Sequence, residues 1–129
     1  MSTKILDNLK YTQDHEWALV EGDTVTMGVT DFAQSSLGDI VFIELPAEGT
    51  AVTKGGACGV IESIKSVSDI CSPVTGKVIA ANRDVEGKPE STNTDPYGSW
   101  LIKIKVSNMS EINDLMNASQ YQAHCDSAH

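Results

Sequence analysis

Short apolar runs alternate with polar turns along most of the chain: "WALV", "TVTMGVT", "DIVFIEL", "AVT", "ACGVIES", "VSDIC", "GKVIAAN" and "WLIKIKV". The runs are rich in Val, Ile and Thr, whose branched side chains suit a pleated, half-buried surface. Gly, Pro, Asp and Asn separate them, most clearly in "EGD" at 21–23 and "PAEG" at 46–49, where Gly accepts positive φ and Pro presets its own. This spacing predicts an all-β sandwich or barrel. Two segments carry a helical period instead. In "TDFAQSSLGD", Asp31 is the predicted N-cap, with Gln34 three residues on and Gly38 as the stop. In "NMSEINDLMNASQYQ", Ser110 is the predicted cap of a helix whose Ile112, Leu115 and Met116 share one face. From about residue 122 the tail "AHCDSAH" has no period and is predicted to fray.

The pattern repeats once. "GDIVFIELPAEGTAVTKG" followed by "GVIESI" has the same order of Gly, strand and turn as "GKVIAANRDVEGKPES" followed by "GSWLIKI". Each half is expected to form a similar small sheet, with Lys65 near the join. Around Lys65, taking Ile64 and Lys65 as the central residues of a turn pairs Glu62 with Val67, Ile61 with Ser68 and Val60 with Asp69. Two-residue hairpins favour Asn-Gly and similar pairs, because the common turns need positive φ. Ile-Lys is poor turn chemistry, and a β-branched residue at the tip exposes apolar surface. From spacing alone, a plain surface lysine and an attachment point both remain open.

Charge and composition narrow the classes. The 129 residues suit one domain, 1–129, with a core that needs no crosslink. A formal charge of −9 argues against nucleic acid or an anionic membrane surface as partner. No apolar stretch approaches the roughly 20 residues of a membrane span. The first residues, "MSTKILDNLKYTQDHEW", contain neither an apolar signal run nor an Arg-rich presequence. Bacterial cytoplasm is therefore the expected location, with the mitochondrial matrix as the alternative if a presequence has been removed. Cys58, Cys71 and Cys125 have no C-x-x-C spacing, and His15, His124 and His129 are scattered, so no metal site is expected. Extending the hairpin pairing puts Cys58 opposite Cys71, where two free thiols are expected over a bond.

A protruding lysine is a poor catalytic base, because lowering its pKa needs desolvation. Covalent modification needs access, a firm two-stranded support and a flexible stem, and a hairpin tip offers all three. Here the sequence resembles a known family. "ESIKSVSDICSPVTGKV" is similar to the lipoylation segment of glycine cleavage system H proteins, and "KYTQDHEW", "GVTDFAQSSLGDIVFIELP" and "TDPYGSWLIKIK" extend the likeness over nearly the whole chain.

The resemblance implies a mainly β barrel-sandwich hybrid, like lipoyl and biotinyl carriers, with short helices including a C-terminal one. It implies one lipoic acid joined to Lys65 and a shuttle without turnover of its own. The implied partners are a pyridoxal-phosphate glycine decarboxylase, a folate-dependent aminomethyltransferase, a dihydrolipoyl dehydrogenase and the lipoate-attaching enzyme, each met by a monomer. Glu62, Ser63 and Ile64 are implied in recognition by the attaching enzyme. Glu16 and Asp69 are implied as acidic partners for the cationic cargo.

Some positions depart from the pattern. Ser66 stands where Ala is usual, Thr92 where an apolar residue is usual, and "YGSW", with Ser99, is one residue shorter than the usual spacing. Trp17 and Trp100 read as core or half-buried sheet residues, and Phe32 has no assigned role. Three alternatives remain: a lipoyl storage or relay protein, an unmodified adaptor that docks through the hairpin, and a small thiol enzyme using a cysteine with His15.

Overall fold

In the computed structural model, which describes residues 4–127, the apolar runs become strands in two sheets. The strands are β1 (Lys10–Tyr11), β2 (Glu16–Glu21), β3 (Thr24–Val29), β4 (Ile40–Glu44), β5 (Ala51–Val52), β6 (Ala57–Ser63), β7 (Val67–Cys71), β8 (Gly76–Ala81) and β9 (Ile102–Val106). The larger sheet runs β1-β2-β3-β9-β8-β5 and the smaller runs β4-β6-β7. Inward residues of both, among them Val25, Met27, Ile40, Ile43, Ile61, Ile70, Val78, Ile102 and Ile104, form one core cluster. Burial of that apolar surface is the main force holding the sheets face to face. A second cluster, with Leu9, Tyr11, Trp17, Tyr121 and Cys125, lies under the C-terminal helix.

The internal echo has a structural counterpart. Its first copy is the antiparallel pair β4 with β6 in the small sheet, and its second is β8 with β9 in the large one. Each pair is interrupted by a bulge at the matching place, between Ile40 and Phe42 and between Val78 and Ala80. The extra residues Val41 and Ile79 are both turned outward, 55% and 46% exposed. Val41 and Ile79 each follow an inward residue, Ile40 and Val78, so alternation already turns them outward, and the bulge in β4 turns Phe42 out as well, 44% exposed.

The helices correct several expectations. Helix α1 (Asp31–Leu37) is capped by Thr30, one residue earlier than predicted, whose hydroxyl accepts the Ala33 N–H at 3.1 Å. Asp31 instead accepts from the Gln34 side chain at 2.8 Å. Gly38 does end α1, with φ of 80°. The single helix predicted from Ser110 is two elements. A 3-10 helix (Met109–Asp114) is capped by Asn108, Leu115 and Met116 are not helical, and Met116 bridges Tyr11. The apolar stripe that looked helical thus serves an extended pairing, and burial of Leu115 satisfies both patterns equally. The chain then enters helix α4 (Ala118–Ser127). Asn117 and Gln120 cap it reciprocally, each side chain accepting the other's backbone N–H at 2.9 Å. The predicted fraying from residue 122 is corrected through Ser127, since Tyr121 and Cys125 are buried against the second cluster. Residues 128–129 lie outside the described residues.

Between β8 and β9 two short helices, α2 (Arg83–Gly87) and α3 (Ser91–Thr94), were not predicted. They are too short to show a period. The altered loop that follows is anchored by the Trp17 indole, which donates to the Pro96 carbonyl at 3.0 Å. Trp17 is almost fully buried, and its ring occupies the space where a side chain on Gly28 would begin. In α3, Thr92 is fully buried and its hydroxyl has no hydrogen-bond partner. A buried orphan hydroxyl costs free energy that a methyl group does not. Thr92→Val is expected to stabilise the fold by about 1 kcal/mol, read as a higher denaturation midpoint at unchanged m-value.

Candidate functional site

Strands β6 and β7 form the predicted hairpin, with Glu62 opposite Val67, Ile61 opposite Ser68 and Val60 opposite Asp69. The poor turn chemistry has a local solution. Among the described residues, His15 is the sole non-glycine residue with positive φ, so neither Ile64 nor Lys65 adopts the usual hairpin conformation. The Ser63 hydroxyl instead accepts the N–H groups of Lys65 and Ser66, both at 3.1 Å, while the Ser63 N–H donates to the Ser66 carbonyl at 2.8 Å. A side-chain oxygen that replaces a backbone carbonyl is the common way Ser stabilises a turn. From the side, the Asp39 carbonyl accepts the Ile64 N–H at 3.0 Å. Lys65 is exposed at the tip, and Ile64 and Val67 beside it are 69% and 68% exposed.

Beside the hairpin lies a cleft of about 190 Å³. Its apolar walls are Val29 of β3, Phe32, Ala33 and Leu37 of α1, and Ile61 and Ile70 of the small sheet. The segment Asp14–Glu16 and Asp69 complete it. Among the described residues no lysine or arginine lines it. The Lys65 stem already leans toward this region, its Cε lying 3.5 Å from where a side chain on Gly38 would begin.

Glu16 is the unusual group in the cleft. It is 4% exposed, and its carboxyl oxygens accept the Thr12 hydroxyl at 2.8 Å and the Cys71 N–H at 3.2 Å. Burial pushes its pKa up to about 8, a rise that those two hydrogen bonds oppose and nearby Asp14 assists. A buried carboxyl with neutral donors only is held largely protonated near neutral pH. Asp69 borders the same cleft and also the outer face of the small sheet beside Glu44 and Val60. Folding therefore brings Glu16 and Asp69, remote in sequence, to one site.

In the sequence His15 entered only as the possible base of the thiol-enzyme alternative. Its φ of 66° turns the ring into the cleft wall, where it stacks on Phe32 and on His124 at centroid distances of 4.4 and 5.0 Å. Its Nδ1 lies 2.8 Å from the Tyr121 hydroxyl, which is 2.7 Å from the Thr30 hydroxyl. Burial, then repulsion from His124, holds its pKa below the usual imidazole value. The C-terminal helix is thus tied to the cleft wall through Tyr121 and His124. A histidine with positive φ has no signature in a single sequence.

The cysteines are corrected in register. A bulge between Ala57 and Gly59 places Ala57, not Cys58, opposite Cys71, and Cys58, Cys71 and Cys125 are free thiols. Burial pushes the Cys58 and Cys71 thiols up to about 12 and about 11, with Glu16 adding to both shifts. Such thiols are poor nucleophiles. The His15 Nδ1 is engaged with the Tyr121 hydroxyl, not with a thiol as the small-enzyme alternative requires. Among the described residues no group of three His, Cys, Asp or Glu is placed to hold a metal, and no helix is long and apolar enough to cross a membrane.

Residues 9–128 match the family described as Glycine cleavage H-protein. A glycine cleavage system H protein from Ralstonia nicotianae is 54% identical over 116 residues, covering 89% of this chain and 91% of that one. One from Myxococcus xanthus is 48% identical over 124 residues, covering 95% and 96%. The crystal structure of a glycine cleavage system H protein from Mycobacterium marinum superposes with a TM-score of 0.85 at 36% identity, covering 92% of this chain and 97% of that one.

Proposed function

The chain belongs to the glycine cleavage H-protein family, and from that membership we propose that Lys65 is the residue that bears its lipoyl group, in amide linkage, one per chain. The role of the protein is that of a lipoyl carrier in glycine cleavage, a component without catalysis of its own. When attached, a lipoyl group supplies a dithiolane that accepts and releases cargo through its sulfurs. Everything else is the work of this chain's side chains.

The observation that carries the assignment is Lys65 itself, exposed on a tip that the Ser63 hydroxyl and the Asp39 carbonyl hold from two sides. The attaching enzyme must find the amine, and the fixed turn limits the conformational entropy lost in presenting it. Ile64, 69% exposed beside the amine, and Glu62 on the flanking strand offer that enzyme an apolar and an acidic contact. Ser63 contributes through the turn, because its hydroxyl is already engaged there.

The cleft also fits an aliphatic arm. Its walls are mainly apolar, it lies beside the Lys65 stem, and among the described residues no lysine or arginine lines it beside its acidic members Asp14, Glu16 and Asp69. Such a site suits a cationic amine, whose charge would draw the Glu16 proton off. Enclosure would keep water from the cargo between visits. Partners of the arm are the glycine decarboxylase, the aminomethyltransferase, the dihydrolipoyl dehydrogenase and the lipoate-attaching enzyme. A chain of formal charge −9 meets them by long-range attraction that weakens with salt, so each visit is quick and ends readily. We propose a one-domain monomer in the bacterial cytoplasm, a reading supported by the bacterial origin of the relatives named above.

Intact mass measurement on protein from its native source tests this. The expected result is a mass increment of one lipoyl group, located by peptide fragmentation on Lys65. Native protein without the increment, or with it on another lysine, overturns the assignment.

A further inference from the structure

The side chain that binds most of the turn beside the hairpin comes from neither strand of that hairpin. Asn93, in helix α3, donates from Nδ2 to the Gly38 carbonyl at 2.9 Å and to the Gln34 side chain at 3.0 Å. Its Oδ1 accepts the Ile40 N–H at 2.8 Å. Both amide hydrogens and one oxygen lone pair are therefore committed to one short stretch, the exit of α1 and the start of β4. Asp39 lies between the two backbone positions that Asn93 grips. The carbonyl of Asp39 holds the Ile64 N–H at 3.0 Å, and Ile40 pairs with Ser63. Gly38 is the surface against which the Lys65 stem rests.

We propose that Asn93 is a positioning residue for Lys65: by clamping Gly38 and Ile40 it fixes the Asp39 carbonyl, which sets the height and direction of the hairpin tip. The inference rests on Lys65 as the attachment lysine. The physical reason for a clamp is the weakness of the tip itself. Ile64 and Lys65 lack the conformation that stabilises a two-residue hairpin, and residues 64–67 are exposed. Local order there depends on Ser63 from within and Asp39 from outside. Asn93 acts only on the second. Helix α3 is a suitable anchor because it is tied to its own loop, the Ser99 hydroxyl donating to the Ser91 carbonyl at 3.0 Å and the Ser99 N–H to the Asp95 carbonyl at 2.9 Å. The shortened loop of the sequence is thereby linked to the functional tip.

The test compares full-length Asn93→Ala and Asn93→Ser with Asn82→Ala. Asn82 gives one comparable bond, from Nδ2 to the Trp100 carbonyl at 2.9 Å, without touching the turn. Two quantities are measured: amide hydrogen exchange at Ile64, and lipoylation by a lipoate–protein ligase with lipoate and ATP, with the carrier concentration varied. Both Asn93 variants are expected to exchange Ile64 at least about tenfold faster. They should raise the KM for the carrier about tenfold with kcat nearly unchanged, because the enzyme then pays to order the tip. Asn82→Ala should move neither. Serine retains one polar atom but is too short to span Gly38 and Ile40 together, so the test stands if the alanine variant does not fold. Wild-type exchange at Ile64 in the Asn93 variants, or an equal KM rise in Asn82→Ala, overturns the proposal. A wild-type protein that the ligase does not modify at Lys65 overturns the attachment reading instead, while Ile64 exchange still reports on the clamp.

Discussion

Replacing Lys65 with arginine is expected to reduce glycine-dependent NADH formation in the reconstituted system by at least about a hundredfold, with thermal stability unchanged. The side chain is exposed at a hairpin tip, so its loss removes no core packing. Arginine keeps the positive charge, and with it any effect of charge on docking, but its guanidinium is not acylated as an amine is. The decline therefore isolates attachment from electrostatics. Lys103→Arg is the matched control, since Lys103 sits on the larger sheet over the Trp100 ring. Near-normal activity of Lys65→Arg would remove Lys65 from the site.

The second large effect concerns Glu16 and pH. Its folded-state pKa is raised from 4.5 to about 8, so folding favours the protonated form. The sign follows from linkage: the group costs nothing below its unfolded value, the cost grows as pH rises from there, and it is complete above about 8. Glu16→Gln keeps the shape without the charge. Its oxygen accepts the Cys71 N–H, and its amide faces the Thr12 hydroxyl, which can accept. The variant is expected to match the wild type in melting temperature near about pH 4.5 and to exceed it progressively on going to about pH 9, by several degrees. A constant difference across that range would show that Glu16 is not the titrating group. On the proposed role of Glu16 as partner of the cationic cargo, the same proton governs how long that cargo is held. A cationic amine in the cleft must displace it, so retention of loaded cargo should rise with pH between about 6 and 8 in the wild type and be shorter and flat in Glu16→Gln.

Much of the scaffold was legible along the chain. Apolar runs of "TVTMGVT" and "ACGVIES" read directly as strands because they are short, rich in apolar and β-branched residues, and bounded by turn residues. The hairpin register about Ile64 and Lys65 was also legible, because pairing outward from a two-residue turn admits one solution. Counting failed once a bulge intervened. Cys58 lost its partner Cys71 to the bulge after Ala57, and a bulge leaves no mark in a pattern of residue types. The helix predicted from Ser110 failed for another reason. Ile112, Leu115 and Met116 are apolar at helical spacing, yet Met116 is used in a bridge to Tyr11, a tertiary demand that local period does not register. Here the missed signal was present, since Asn117 and Gln120 carry the spacing of a capping box three residues apart.

What the sequence by itself determined was the mainly β class, the place of the turn at Ile64 and Lys65, and, through its ordered motifs, the family to which the chain belongs. These depend on residue type and on separations along the chain. Only the tertiary structure decided what surrounds that lysine: the Ser63 hydroxyl that replaces a glycine turn, the Asn93 clamp, the His15 conformation, and the burial that keeps the Glu16 proton near neutral pH. The clamp and the buried carboxyl depend on distances between segments far apart in the sequence and on how much water remains between them, whereas the Ser63 bonds span only two and three residues. Glu16 makes the difference plain. In the sequence it is one acidic residue among eighteen, and exclusion of water in the folded chain makes it a group that holds its proton up to about pH 8.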